Sequence, residues 1–420
     1  VSEHKKPTVS VVLLAYNHLD YTKLCVENLY RYTTDVDYEL ITVNNGSSDG
    51  TEEFFNSLPN EKKVSFPKNV GVDRAINSGF RLAEGKYTMN LSNDIVPTSR
   101  WLKNLVACME SDPKIGMAVP VCNYSSNRQQ ITLPYRSMEE MQNVADQYNH
   151  SNSRFWEDRL RLVTYTCLFR TDTIQKIGGF DEDFNPGSYD DDAISFRIRR
   201  LGYRLVLAAD TYVHHFGSVT FNNEYFEDNL AVRNRSLFHQ KFGVDSWVAS
   251  EIDDTLVALA DCRKTDPVRI LGIGSSCGAS LLQIKNKYRR WGNSEVRLFY
   301  LTTAQETLAD LATICEPCVF GSPDDVGRFF SGGGFDLIVV EYDTGALAYP
   351  EGFFQQLISM VTENGRILTT VTPETRPRIE AAFKEKGFSA CKNINFYFSF
   401  GKTPESKPFL KIDSSMSGTD

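Results

Sequence analysis

Two stretches of the chain alternate between short apolar runs and amphipathic segments. In the first, Val9–Leu14 is apolar and β-branched, the pattern of a strand buried on both faces. The spacing turns helical over Asp20–Tyr32. Tyr38–Val43 reads as a second strand and runs into Asn44-Asn45-Gly46-Ser47. A helix capped by Ser or Asp follows over Ser48–Leu58, Asn77–Ala83 is helical, and Tyr87–Leu91 is a strand. This alternation predicts an open α/β sheet whose ligands sit beyond the C-terminal strand ends.

The alternation resumes at Val268. Val268–Ile273, Val296–Leu301, Leu337–Glu341 and Arg366–Val371 read as strands. Gly274-Ser275-Ser276-Cys277-Gly278 opens a helix that runs to Tyr288. The predicted organisation is a first domain over 1–245, a polar linker over 246–266, a second α/β domain over 267–403 and a disordered tail over 404–420 rich in Ser, Lys, Pro and Gly.

Composition changes this picture little. A chain of 420 residues suits two or three domains, and 41% hydrophobic with 24% charged residues is ordinary for a globular protein. Forty-five Lys and Arg against 54 Asp and Glu leave a net charge of -9, which argues against a nucleic-acid binder that tracks phosphates. The nine cysteines are scattered, and the one CxxC, Cys315 to Cys318, lacks a second pair or nearby histidines. Reduced thiols rather than zinc follow, and with them a cytoplasmic location. No apolar run approaches the roughly 20 residues of a membrane span, and no secretory signal opens the chain. Val1 in the place of Met points to a piece of a longer protein.

Four polar clusters fall at predicted strand ends of the first domain. They are Leu14-Ala15-Tyr16-Asn17, Asn44-Asn45-Gly46-Ser47-Ser48-Asp49-Gly50, Asn69-Val70-Gly71 with Ala75, Asn77 and Gly79, and Ser92-Asn93-Asp94. Each taken alone is a turn. Further on come Ile177-Gly178-Gly179-Phe180-Asp181-Glu182, Gly187-Ser188-Tyr189-Asp190-Asp191-Asp192, then Arg197 and Leu201-Gly202-Tyr203-Arg204. Val213-His214-His215-Phe216-Gly217 closes the series. Three adjacent carboxylates on their own are as readily an acidic helix start. An extended His-His pair presents its two rings to opposite faces.

In order and spacing, the series from Pro7 to Gly243 resembles the inverting family 2 glycosyltransferases, with their GT-A fold. The resemblance implies a nucleotide pocket lined by Ala15, Tyr16, Asn17, Asn44, Asn45, Gly71, Asn77 and Asn93. It implies a divalent metal, Mn²⁺ or Mg²⁺, on Asp94 of the DXD-type motif, completed by His215 or His214, with His215 favoured. It places the general base on Asp191 of the Asp190-Asp191 pair, because a sugar hydroxyl is a poor nucleophile until its proton is being removed. Three positions depart from the family: Asn44 stands where Asp is usual, Ser92 replaces the first Asp of DXD, and Asp190 replaces Glu. The segment Pro120–Tyr135 is similar to a subgroup of large multi-domain bacterial transferases that build surface glycans or modify proteins.

The second domain resembles a class I SAM-dependent methyltransferase, with a Rossmann-like fold, through Ile270–Gly278, Phe335-Asp336-Leu337-Ile338 and Asn364-Gly365-Arg366-Ile367. Gly272 stands where that family has an acid, Ser276 where it has Gly, and Tyr300-Leu301-Thr302-Thr303 lacks the acid that holds the ribose diol. A structural or partner-binding role is expected for it.

The expected function is inverting transfer of a hexosyl or deoxyhexosyl group. The donor is a UDP-, GDP- or dTDP-sugar, and the acceptor hydroxyl belongs to a glycan, a lipid-linked glycan or a protein. Two alternatives remain: methyl transfer by the second domain as the main activity, and a non-catalytic carbohydrate- or protein-binding module. Asn44 and Ser92 favour the latter; Asp191 and His215 oppose it.

Overall fold

The computed structural model describes residues 6–217, 229–260, 262, 267–341, 352–371, 376–394 and 397–402. The expected tail over 404–420 lies outside the described residues. The chain divides into two units, Val1–Phe242 and Gly243–Asp420, and the architecture is mixed α/β with one sheet in each.

The first sheet is built from β1 (Val9–Ala15), β2 (Tyr38–Asn44), β3 (Lys62–Ser65), β4 (Tyr87–Ser92), β5 (Ile95–Val96), β6 (Ile115–Cys122), β7 (Trp156–Arg159), β8 (Thr166–Arg170) and β9 (Arg204–His215). Its order is β3-β2-β1-β4-β8-β6-β9-β5, with β7 paired to β9. The first four strands in that order are parallel, and β8 runs antiparallel between β4 and β6. β1 has a parallel neighbour on each side, so nearly every side chain on it is buried and the run is apolar rather than alternating.

Register decides what these strands hold up. Ala15 pairs with Asn44, and Leu14 pairs with both Val43 and Ser92. Three strand ends therefore finish at one level, and three of the four polar clusters start side by side. On the far side of the sheet, β5 pairs antiparallel with β9, with Ile95 opposite His215 and Val96 opposite His214. That register carries Asp94 to the end of β9, 121 residues on.

Helices α1 (Leu19–Tyr32), α2 (Thr51–Ser57) and α3 (Val72–Phe80) follow β1, β2 and β3. α2 starts three residues later than its Ser48 cap predicts. Gly50 occupies the cap position at φ 93°, and Asp49 instead bonds the Thr51 N–H and hydroxyl. α3 starts five residues before the expected Asn77 and ends at Phe80. Seven of its nine residues are buried, Asp73 and Asn77 among them, so polarity along it does not report burial. α4 (Trp101–Ser111), α5 (Met138–Tyr148), α6 (Thr171–Lys176), α7 (Asp190–Arg200) and α8 (Leu230–Phe242) complete the unit.

The second unit carries a seven-stranded sheet of β10 (Val268–Gly274), β11 (Val296–Thr302), β12 (Cys318–Phe320), β13 (Phe335–Val340), β14 (Val361–Thr370), β15 (Ser389–Ile394) and β16 (Tyr397–Gly401). The order is β12-β11-β10-β13-β14-β16-β15. The first five are parallel, and β16 runs antiparallel to both its neighbours. Within the stretch expected as a linker, Ser246–Ala249 and Asp254–Leu259 are short helices capped by Asp245 and Asp253, and the second packs on the helix Ala279–Arg290. All nine cysteines are free. Among the described residues, no helix is long and apolar enough to cross a membrane.

Candidate active site

A cleft of about 540 Å³ opens beyond the C-terminal ends of β1, β2 and β4. Tyr16, Asn45, Gly71, Asn93, Asp94, Asp190, Asp191 and His215 line it, so eight of the thirteen residues singled out in the sequence converge there. Ala15, Asn17, Asn44, Asn77 and His214 do not line it.

The side chains of those five have other tasks. The Asn44 amide donates to Ser65 Oγ (3.0 Å), and its carbonyl accepts from the Ser47 N–H (3.0 Å), which closes the turn after β2. Asn17 Oδ1 accepts from the Ser48 N–H (2.9 Å), and Ser47 Oγ accepts from the Asn17 N–H (2.8 Å). Asn77 binds Phe180 twice, donating to its carbonyl (2.9 Å) and accepting from its N–H (2.8 Å). Ala15 is fully buried and its carbonyl accepts from the Asn45 N–H (2.9 Å). Two amides that do line the cleft also brace it. Asn45 holds Asn69 Oδ1 (3.1 Å) and the Val70 N–H (2.9 Å), and Asn93 donates to the Asn17 carbonyl (3.0 Å) and to Thr22 (2.9 Å). The asparagines thus fasten the four clusters to one another.

At one end of the cleft His215 Nε2 lies 3.2 Å from Asp94 Oδ2. His215 Nδ1 sits 2.7 Å from the Tyr124 carbonyl, and its ring stacks on Tyr165 at 5.3 Å. Burial disfavours the imidazolium, but the hydrogen bonds to Asp94 and Cys122 and the Asp94 charge outweigh it and push His215 up to about 10. His214 points the other way, with Nδ1 2.7 Å from Tyr135 Oη. Burial first, then the His215 charge, bring it down to about 4. The alternation of an extended strand separates the two rings. Once a cation displaces the proton from His215, one hard oxygen and one imidazole nitrogen suit a divalent metal such as Mn²⁺, and oxygens of a bound ligand would complete the shell. Among the described residues no group of three or more His, Cys, Asp or Glu gathers to hold a metal without such help.

Elsewhere in the cleft, α7 begins at Asp190, and all three carboxylates sit in its first turn, where the helix dipole favours them. Their surroundings differ. Asp192 is buried and ion-paired with Arg161 at 2.8 Å. Asp191 Oδ1 accepts from the Thr164 N–H (3.0 Å) and from the Thr164 hydroxyl. Burial pushes Asp191 up to about 6, against the pull of Thr164 and Arg161. Burial and the Asp191 charge push Asp190 up to about 8.

The loop that delivers this turn is held from behind by a residue the motifs did not flag. Ser188 and Tyr189 adopt left-handed backbone, φ 73° and 66°. Asn234 on α8, fully buried, donates to the carbonyls of Phe184 (3.0 Å), Gly187 (2.9 Å) and Ser188 (2.8 Å). Asp73, fully buried in the cleft wall, was missed too, as was Thr164. Asp73 falls inside the third cluster but is not one of its marked positions, and Thr164 falls in none; only the fold brings them to the cleft that Asp191 lines.

Residues 10–175 match the family described as Glycosyl transferase family 2. The match lies within the first unit and covers less than half of the chain. The chain is 36% identical to a chondroitin synthase of Pasteurella multocida (strain Pm70) over 241 residues, 55% of this chain and 22% of the relative. It is 25% identical to a poly-beta-1,6-N-acetyl-D-glucosamine synthase of Staphylococcus aureus (strain MSSA476) over 223 residues, 49% of this chain and 50% of the relative. The chain thus spans about a fifth to a half of these relatives' length. A solved mannosyltransferase from Pyrobaculum calidifontis, in complex with GDP-Man and Mn²⁺, aligns over 84% of each chain at 17% identity and a TM-score of 0.40, too loose a superposition to bear on this site. The matched stretch ends before α7 and β9, so it includes neither Asp191 nor His215.

In the second unit the glycine loop after β10 is occupied by the protein itself. Glu341 Oε2 accepts from the Ser276 and Tyr300 hydroxyls, and those two hydroxyls lie 3.1 Å apart. A Cβ on Gly272 would lie 2.6 Å from the Tyr300 ring and from Leu281. The acid usual at that position has no room beside this tyrosine.

Proposed function

We propose that the first unit is a GT-A glycosyltransferase that moves a sugar from a nucleoside-diphosphate donor to an acceptor hydroxyl with inversion. The observation that carries the proposal is that Asp191 and the Asp94–His215 pair line one cleft beyond the strand ends. Tyr16, Asn45, Gly71 and Asn93 form the nucleotide side of that cleft. Asp94 and His215 would hold Mn²⁺ or Mg²⁺, and the cation would supply neutralisation of charge on the leaving diphosphate. Thr164 fixes Asp191 Oδ1 and leaves Oδ2 to take the proton from the acceptor hydroxyl as it attacks the anomeric carbon from the face opposite the diphosphate. Asp190 helps seat the acceptor. Two relatives are named as polysaccharide synthases, which favours a growing glycan end as acceptor over a lipid-linked glycan or a protein. Nine free thiols fit a cytoplasmic setting.

The test is turnover and binding across UDP-, GDP- and dTDP-sugars, each with Mn²⁺, with Mg²⁺ and with EDTA. One donor is expected to be hydrolysed or transferred in a metal-dependent way. No binding of any donor in any condition would defeat the proposal in favour of a module with a decayed site.

For residues 267–403 we infer a Rossmann-like, methyltransferase-type domain without methyl-transfer chemistry. The strand order from β12 to β14 supports the fold, since it follows the 3-2-1-4-5 winding of dinucleotide-binding sheets, whose ligands sit at the switch point beside β10. The Ser276–Tyr300–Glu341 cluster supports the lost chemistry, because it lies at that point and Tyr300-Leu301-Thr302-Thr303 at the end of β11 contains no acid. Calorimetric titration of SAM into the full chain is expected to give no binding in the micromolar range. A low-micromolar dissociation constant would restore methyl transfer as a candidate activity.

A further inference from the structure

Asp73 lines the cleft, is 1% exposed, and has no hydrogen-bond partner for either carboxylate oxygen among the described residues. Leaving a buried acceptor unpaired is destabilising, and native structures rarely do so without a ligand, water or ion in the account. The neighbours that could answer it are engaged elsewhere. Arg74, the next residue, turns to Glu182 at 3.0 Å, and the Asn77 amide one turn on is committed to Phe180. The charges that reach Asp73 are Asp190, Asp191, Asp181 and Glu182, all of the same sign; with burial, the larger cause, they hold its carboxyl well above the usual carboxylate range.

We propose that Asp73 is a specificity-determining residue that hydrogen-bonds a hydroxyl of the donor sugar ring. The proposal rests on the donor-binding reading above. Asp73 follows Gly71 by two residues, and Gly71 belongs to the loop that Asn45 fastens to the nucleotide-side strand ends. Asp190 and Asp191, whose charges reach it, line the same cleft. A sugar whose anomeric carbon sits between the diphosphate and the base has to pass this carboxyl. A hydroxyl answers it in either protonation state, since an ionised carboxyl accepts and a protonated one also donates.

The experiment uses the full chain with MnCl₂ and calorimetry of UDP-glucose, GDP-mannose and dTDP-glucose beside UDP, GDP and dTDP, for wild type, Asp73→Asn and Asp73→Ala. Both variants are expected to bind the bare diphosphate within about twofold of wild type, while Asp73→Ala weakens the sugar-bearing donor about tenfold or more. Asp73→Asn, which keeps an acceptor and a donor, loses less. Across a deoxy-sugar series, one analogue should bind wild type and Asp73→Ala equally. Melting temperatures should hold or rise in both variants, because no protein partner is lost. Unchanged donor affinity in Asp73→Ala would overturn the proposal. So would donor and diphosphate affinities that fall together, or a lowered melting temperature that accompanies the donor loss. Wild type binding none of the diphosphates would instead remove the transferase reading, and this proposal with it.

Discussion

Replacing Asp191 with Asn is expected to lower glycosyl transfer by about 10²–10⁴-fold while leaving donor affinity nearly unchanged. The substitution is close to isosteric. The side-chain oxygen that Thr164 holds can remain where it is, at 3.0 Å from the Thr164 N–H, so the start of α7 keeps its geometry. What disappears is the second oxygen, the one free to accept a proton. The two neighbouring acids separate this role from a generic acidic helix start. Asp192 faces Arg161 at 2.8 Å and is buried, so Asp192→Asn should cost stability and leave the rate near wild type. Asp190→Asn should fall between, through acceptor placement. An acidic turn serving only the helix dipole predicts small and similar losses for all three. Rates at saturating donor, with thermal melts as the control for folding, rank the variants. A fully active Asp191→Asn would remove the base and shift weight to a binding module.

The same carboxyl sets the pH profile. Burial raises Asp191 to about 6, with Thr164 and Arg161 limiting the rise. A general base works only when deprotonated, so transfer should be lost as pH falls through about 6 and be nearly full at neutral pH. Asp191→Asn should flatten that limb.

How legible this was in the sequence follows from which residues repeat a pattern. β1 is apolar because both its faces are covered, and the limits of β1, β2 and β4 read to within a residue. The four clusters read as strand ends for the same reason. β6 did not read: its eight residues are all buried, but Gly116 and Pro120 interrupt it, and Pro is a poor marker of a strand with neighbours on both sides. α3 was shortened because Asp73 and Asn77 are polar and buried, which breaks the period that announces a helix. The asparagines were legible as cleft residues and not as braces. A motif gives the side chain's place along the chain, while the bond from Asn45 to the loop at residues 69–71 exists only in three dimensions. Asn234 lies 46 residues or more beyond the carbonyls it clamps, in a helix that otherwise shows an ordinary mixture of apolar and basic residues. His214 and His215 could be ranked only by the alternation of a strand; the register of β5 against β9 puts His215 beside Asp94.

Removing the metal is expected to abolish measurable nucleoside-diphosphate binding, and Asp94→Ala to approach the same result with metal present. The reason is the sign of the cleft. Asp73, Asp94, Asp190 and Asp191 line it, and among the described residues no Lys or Arg does. With no metal the His215 imidazolium is spent on Asp94 at 3.2 Å, and a diphosphate entering the cleft meets Asp191, a carboxylate at neutral pH. At an effective dielectric of about 20, one carboxylate 8 Å from a phosphate charge costs roughly 2 kcal/mol. That corresponds to roughly 30-fold in affinity. A divalent cation held by Asp94 and His215 turns the same place attractive, and Ser92 in the position of the first motif acid means that Asp94 supplies the single carboxylate of that anchor. Calorimetry of wild type and Asp94→Ala, each with MnCl₂ and with EDTA, gives four affinities for the diphosphate of the preferred donor. Wild type with Mn²⁺ should stand apart from the other three by about 10²-fold or more. His215→Ala should weaken binding less than Asp94→Ala, since a neutral nitrogen is lost rather than a charge. Equal affinity in all four conditions would show that the diphosphate is held without a metal and would leave the Asp94–His215 pair as a structural tie between β5 and β9.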